Sequence, residues 1–199
     1  MRRVAHARRV TQPMPFSAVL LAAGLSTRMG RDKALLVAPD GRPLWERQRD
    51  VLRAAGAAEI LFSVRPAQTW VPRDASIGLV HDAVPGRGPL GGIAAALGRA
   101  TQPHLAVLAI DLPRLEPAWF RVLLGACAPG VGAVGRREDF FEPLAAVYPR
   151  EMLARAEDAL AGGEFSLQHF LAAAVARGLL RVREISRAEE PWFENWNEP

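Results

Sequence analysis

The stretch Ala18-Val-Leu-Leu-Ala-Ala-Gly24-Leu-Ser-Thr-Arg28-Met-Gly30-Arg-Asp-Lys33 sets an apolar run directly against a glycine-bearing loop that ends on an ammonium. Such a run, closed by glycine, reads as a buried strand, and the loop after it can turn backbone N–H groups toward an anion. Lys33 is the only lysine among 25 basic residues; the others are arginine. A compact ammonium on a flexible stem suits a phosphate approached end-on, whereas a planar guanidinium imposes its fork geometry. The spacing is not that of a P-loop, which needs Gly, four residues, then Gly-Lys-Ser/Thr, nor that of the three-glycine dinucleotide fingerprint. It is a different phosphate cradle, in which Arg28 and Lys33 would neutralise charge that grows during phosphoryl or nucleotidyl transfer.

Outward from this loop, short aliphatic runs recur at Ser17–Ala23, Glu59–Val64, Ile77–His81, Leu105–Ile110, Val131–Gly135, Leu144–Tyr148 and Leu180–Ile185. Helical patterns lie between them. Leu44, Val51, Leu52 and Ala55 form a stripe among charged residues that stops at Gly56, and Leu90–Ala100, Pro117–Cys127, Arg150–Leu160 and Ser166–Ala176 read similarly. Near-continuous apolar strands alternating with helices predict an α/β fold: a single Rossmann-like domain with a mostly parallel central sheet and helices on both faces. Ligands of such sheets bind beyond the carboxyl ends of the strands. The loops there should carry the polar chemistry, and they hold Lys33, Arg65, Asp82 and Asp111.

At 199 residues, 50% hydrophobic and 23% charged, the chain suits one domain with a sizeable core of its own. One cysteine, Cys127, excludes an intrachain disulfide, no Cys/His cluster has zinc spacing, and a reducing cytoplasmic setting follows; Cys127 reads as core filler. The net charge of +4 comes from arginines spread along the chain, which favours small anionic substrates over nucleic acid. Residues 1–14 read as a disordered basic arm, with Met14 as an alternative start, and residues 15–199 as the domain. Arg2, Arg3, Arg8 and Arg9 before an apolar stretch mimic a secretory leader, but that stretch is short and runs straight into the loop, as a first buried strand would. No segment is long enough to span a membrane.

The ordered motif Leu21-Ala-Ala-Gly24-x-Ser26-x-Arg28-Met29-Gly30-x-Asp32-Lys33 resembles the signature loop of the nucleotidyltransferases built on one Rossmann-like domain, the nucleotide-diphospho-sugar transferase type. Within them it is most similar to the molybdenum cofactor guanylyltransferase family. Further motifs follow in order: His81-Asp82 with Gly88-Pro89-Leu90-Gly91-Gly92, then Val107-Leu-Ala-Ile110-Asp111-Leu112-Pro113, then Glu142-Pro143-Leu144-Ala145-Ala146-Val147-Tyr148, and a tail Phe193-Glu-Asn195-Trp-Asn197-Glu198-Pro199. The resemblance implies transfer of GMP from GTP to molybdopterin with release of pyrophosphate. It further implies Mg²⁺ held at Asp111, with Arg28, Lys33 and Asp111 as the catalytic set.

By the same resemblance the nucleotide meets Leu21, Ala22, Ala23, Gly24, Ser26, Gly30, Asp82, Gly88, Leu90 and Gly91, while Asn195 and Asn197 reach the pterin or the metal's surroundings. Arg65 stands where relatives often carry a nucleotide-contacting Asn, so its cation either touches phosphate or faces solvent. Molybdenum-cofactor biosynthesis or acceptor proteins are the candidate protein partners. Ala23 replaces the second glycine of guanylyltransferase loops, and an Ala-Ala-Gly loop also occurs in cytidylyltransferases. A molybdenum cofactor cytidylyltransferase or another sugar- or alditol-phosphate nucleotidyltransferase is therefore the alternative reading. A non-catalytic GTP-binding cofactor carrier is the alternative from another class, since Glu198 replaces the tail Thr.

Overall fold

The opening apolar run forms β1 (Phe16–Leu21), and β4 (His104–Ala109) lies parallel beside it in the register Ser17 to Leu105 through Leu21 to Ala109. The structure, a computed structural model, describes residues 14–24, 32–71, 76–81 and 88–196. Both strands are apolar almost throughout because both faces of the sheet are covered. Ala18, Leu20, Ala106 and Leu108 point into a core shared with Leu44, Leu52, Trp119 and Phe120. Val19, Leu105 and Val107 point the other way, toward Leu90, Ile93, Leu97 and Phe170. This two-residue alternation between two cores is what a strand buried on both sides requires.

The helices supply those cores. On the first face lie α1 (Leu44–Ala55), which ends at Gly56 with φ 99°, and α3 (Pro117–Ala126). On the second lie α2 (Gly88–Arg99), α4 (Leu153–Ala161) and α5 (Leu167–Ala176). A 3₁₀ turn at Arg150–Met152 precedes α4, so the helical pattern from Arg150 holds with its first turn tightened. The remaining strands are β2 (Glu59–Ser63), β3 (Ile77–Val80), β5 (Gly132–Arg137), β6 (Phe140–Phe141), β7 (Ala145–Pro149) and β8 (Leu180–Glu184). Each apolar run of the sequence reading is a strand; the two-residue β6 is an addition, formed where Glu138, at φ 53°, turns the chain back on β5.

The strands run in the order β3-β2-β1-β4-β7-β5-β6, with β8 parallel on β5. From β1 the chain moves outward through β2 to β3, then returns to lay β4 on the opposite edge of β1. The strand order therefore reverses at β1 and β4, and their carboxyl ends open a crevice. β7 runs antiparallel to both β4 and β5, so the sheet is mixed, though mostly parallel as expected. Gly132 permits the crowding at this junction: a Cβ there would lie 2.1 Å from the Val147 carbonyl oxygen, so no side chain fits.

At the opposite, amino-terminal end of the sheet, Glu59 clips β1 and β2 to the start of β4. It accepts from the Ser17 hydroxyl at 2.6 Å and from the N–H and hydroxyl of Thr101 at 3.0 and 3.1 Å. Burial pushes its pKa up, but the bonds from Ser17 and Thr101, helped by the Arg99 cation, outweigh that and hold it below the ordinary glutamate value. The folded-state pKa being depressed, this contribution to stability is present above the unfolded-state value and fades as pH falls through the folded one. Glu59→Gln should thus unfold at lower urea than wild type near pH 7, with the gap closing near pH 3. A gap of the same size at both pH values would contradict this.

Candidate functional site

Two segments leave the carboxyl ends of the neighbouring strands β1 and β4. Past the end of β1, the Ala22 N–H donates to the Ser63 carbonyl at 2.9 Å, and the Ile110 N–H donates to the Leu21 carbonyl at 3.1 Å. The ladders therefore extend beyond the strands, and both loops start in fixed positions. The first returns at Asp32, whose Oδ1 accepts the Ala34 N–H at 3.1 Å and caps the 3₁₀ turn Lys33–Leu35. That turn aims Lys33 at the second loop. Its Nζ lies 3.4 Å from Asp111 Oδ2, and the two side chains are 19% and 27% exposed.

Each partner is held from behind. Asp32 Oδ2 accepts from Gln68 Nε2 at 2.6 Å and from Trp70 Nε1 at 2.8 Å, and the Arg65 guanidinium sits 3.7 Å away. Beneath Asp111, the fully buried Gln48 of α1 donates through Nε2 to the Leu112 carbonyl at 2.7 Å and lies 3.5 Å from that of Ala109. The Asp111 carbonyl accepts the Trp196 N–H at 3.0 Å, so the tail docks on the same loop. Phe193 anchors that tail edge-on against Trp119, with ring centroids 4.9 Å apart, and Glu194 pairs with Arg114.

A third wall comes from α2. A Cβ on Gly92 would lie 2.9 Å from Ser63 Oγ and 3.2 Å from a methyl carbon of Leu21, so glycine lets the first turns of this helix press against the carboxyl ends of β1 and β2. The N-terminus of a twelve-residue helix favours anions through its unpaired N–H groups and its dipole.

Of the residues singled out in the sequence, Lys33 meets Asp111, Arg65 lies beside Asp32 next to Lys33, and Leu21, Ala22, Ala23 and Gly24 follow one another at the end of β1. Leu90 is fully buried in the second core, so backbone is what it can offer a ligand; Gly88 is exposed and Gly91 buried. Asn195 is exposed beside Trp196, and so one residue from the bond to Asp111. Ser26, Arg28, Gly30, Asp82 and Asn197 lie outside the described residues, as does the arm over residues 1–13. Arg65 does not simply face solvent; it sits beside Asp32. Cys127 is only partly buried, packed against the edge of the first core: burial pushes its thiol up to about 12, and its Sγ donates to the Leu123 carbonyl.

Sequence reasoning left Asp32 without a role and passed over Gln48, Gln68 and Trp70. Gln48 carried a signal, because it falls in phase with the stripe of Leu44, Val51, Leu52 and Ala55 and is buried with them. Gln68 and Trp70 carried none, being polar and aromatic residues of an aperiodic segment.

Among the described residues no three His, Cys, Asp or Glu side chains gather as a metal cage. A hard cation bound chiefly by substrate phosphates needs one or two carboxylates and keeps several waters, and Asp111, partly exposed at a strand end, fits that demand.

The family model for the MobA-like NTP transferase domain matches residues 18–178, which run from β1 through α5. Over 183 residues the chain is 45% identical to a probable molybdenum cofactor guanylyltransferase of Opitutus terrae, covering 90% of this chain and 89% of that protein. The chain belongs to the molybdenum cofactor guanylyltransferase family. Its fold is that of the molybdopterin-guanine dinucleotide biosynthesis protein A of Archaeoglobus fulgidus, with a TM-score of 0.69 at 22% identity over 92% of this chain and 93% of that one. A manganese complex of a Mycobacterium tuberculosis protein also shares it, with a TM-score of 0.59 at 19% identity over 87% and 89%. In this guanylyltransferase-family chain, β8 and the tail that docks on Asp111 lie past the segment matched by the domain model.

Proposed function

We propose that this chain is a molybdenum cofactor guanylyltransferase, a nucleotidyltransferase that joins GMP from GTP to the terminal phosphate of molybdopterin and releases pyrophosphate. The observation that carries it is the approach of Lys33 and Asp111 to 3.4 Å at the crevice between β1 and β4, in a chain 45% identical to a relative bearing that name. An oxygen of the molybdopterin phosphate attacks the α-phosphorus of GTP, and the bond from that phosphorus to the bridging oxygen of the β-phosphate breaks. The nucleophile is already an anion, so little acid–base chemistry is asked of the protein. What it must supply is in-line placement and control of growing charge.

Lys33 supplies the ammonium: with nucleotide present it exchanges the Asp111 carboxylate for phosphate oxygens, and the loss of one partner is matched by the gain of another. Asp111 is the residue that would hold Mg²⁺, which when bound neutralises phosphate oxygens as pyrophosphate departs. Manganese in a structural relative is in keeping with a divalent cation in this fold. Arg28 is assigned to the phosphates and Asp82 to the nucleoside by their place in the family motifs. Ser26 and Gly30 belong to the same loop. The backbone of Leu21–Gly24 and of Gly88–Gly91 lines the base, and Arg65, beside Asp32, stands ready for the outer phosphates. Asn195 and Asn197 serve the pterin side, a reading supported by the bond that lands Trp196 on Asp111. The setting proposed is cytoplasmic; no described helix is long and apolar enough to cross a membrane.

The test is a thermal-shift comparison of GTP, CTP, UTP and ATP with Mg²⁺, followed by turnover with molybdopterin. Nucleotide at about one hundred times its Kd adds about 2.7 kcal/mol, or roughly 5–10 °C for a chain of this size. GTP should give the largest shift and support turnover. A larger shift with CTP would favour a cytidylyltransferase, the reading that Ala23 keeps in play, and a GTP shift without turnover would favour a carrier.

A further inference from the structure

One side-chain amide joins both ends of the phosphate loop. Gln68 lies in the segment after β2, and its Nε2 donates to the Ala22 carbonyl at 2.9 Å, where the loop begins, and to Asp32 Oδ2 at 2.6 Å, where it ends. Its Oε1 accepts the Arg65 N–H at 2.6 Å. That third bond sets the orientation of the amide, since the flipped form would place NH₂ against an N–H and the oxygen against two acceptors. Both of its donors and one acceptor position are thus spent on the loop and on the segment that carries Arg65. Trp70 supports the same point by donating to Asp32 Oδ2, and it is itself stacked on Trp45 at 6.2 Å between ring centroids.

Asp32 connects this latch to the chemistry. One of its oxygens receives Gln68 and Trp70, while the other caps the turn that presents Lys33 to Asp111. We infer that Gln68 is a positioning residue for nucleotide transfer: it pins the two ends of the loop and, through Asp32, sets where the Lys33 ammonium sits. It is not a catalytic residue, because its bonds go to Ala22, Asp32 and Arg65. The inference rests on the reading that Lys33 meets the nucleotide's phosphates.

Misplacing a charge by about an ångström costs up to about a hundredfold in rate. Gln68 is half-buried in a loop, so its loss should leave the fold intact. The experiment measures kcat and KM for GTP, with molybdopterin as acceptor, from about pH 5.5 to 8.5 for wild type, Gln68→Ala, Gln68→Glu and Lys33→Ala, together with melting temperatures. Gln68→Ala should lose on the order of ten- to a hundredfold in kcat/KM for GTP at every pH, with little change in melting temperature.

Gln68→Glu sets a carboxylate against that of Asp32, with Arg65 the other charged group facing the position among the described residues. It should match or exceed that loss at high pH and recover several-fold toward wild type at low pH, as one proton is shared between the two acids. A Gln68→Ala variant within twofold of wild type overturns the inference, and so does a Gln68→Glu variant that follows Gln68→Ala at all pH values. If Lys33→Ala is itself unimpaired, the reading of Lys33 falls and this inference with it. If Lys33→Ala is crippled while Gln68→Ala is not, the inference about Gln68 alone falls.

Discussion

Lys33→Ala should lower GMP transfer by about a hundred- to a thousandfold, the range for losing a charged contact to developing negative charge. The loss should fall mainly on kcat/KM for GTP, because the ammonium meets the nucleotide and not the acceptor. Lys33→Arg is the sharper variant. It keeps the positive charge, but the guanidinium has a carboxylate of matching geometry within reach in Asp111, and a fork engaged there is poorly placed to leave it for phosphate. Turnover of Lys33→Arg should therefore stay at least about tenfold below wild type. Steady-state kinetics on the three proteins checks this, and wild-type rates in Lys33→Ala would remove the residue from the mechanism.

Asp111→Asn is expected to cost at least as much, because the substitution preserves shape and removes the one carboxylate placed at the end of β4. Charge neutralisation at phosphoryl oxygens is worth several kcal/mol, so transfer should fall by about a thousandfold. A second readout separates loss of metal from loss of the ion pair. In wild type, the thermal shift produced by GTP should grow when Mg²⁺ is added, and in Asp111→Asn that increment should vanish. Retention of a full Mg²⁺ increment would place the metal elsewhere. The Lys33→Ala and Asp111→Asn losses should also combine to less than their sum, since both residues act on one triphosphate.

Much of the site was legible before any coordinates, and the reason is local. The apolar run from Ala18 and the glycines after it mark a strand and its loop within one window of sequence, and Val107–Asp111 does the same for the second strand. Both side chains proposed to act, Lys33 and Asp111, could therefore be named from their own neighbourhoods. Their supports could not. Gln68 bonds to Ala22 and Asp32, residues 46 and 36 positions away, and Gln48 holds a loop 64 positions away. The stripe of α1 marks Gln48 as buried but does not name its partners, and no periodicity marks Gln68 at all. The tail is similar: nothing in its own sequence says that Phe193 packs on Trp119 or that the Trp196 N–H reaches the Asp111 carbonyl.

Strand order and strand direction show the same division. Leu144–Tyr148 reads as a buried strand on its own composition, yet nothing in those residues says that β7 runs against β4 and β5. A strand buried on both faces is apolar whichever way it points, so direction is left to the connections and to the crowding that Gly132 relieves.

By itself the sequence determined the alternation of strands and helices, the two-sided burial of the sheet, the glycine-bearing loop that ends on the single lysine, and the family to which these motifs belong. Those are properties of periodicity and of short ordered motifs, which act within a few residues of one another. Tertiary structure alone decided that β1 and β4 are neighbours, that Lys33 comes within 3.4 Å of Asp111, and that a glutamine from a third segment latches the loop between them. The physical reason is that these are pairings across tens of residues, chosen by the joint packing of the two cores and not by the preference of any one segment.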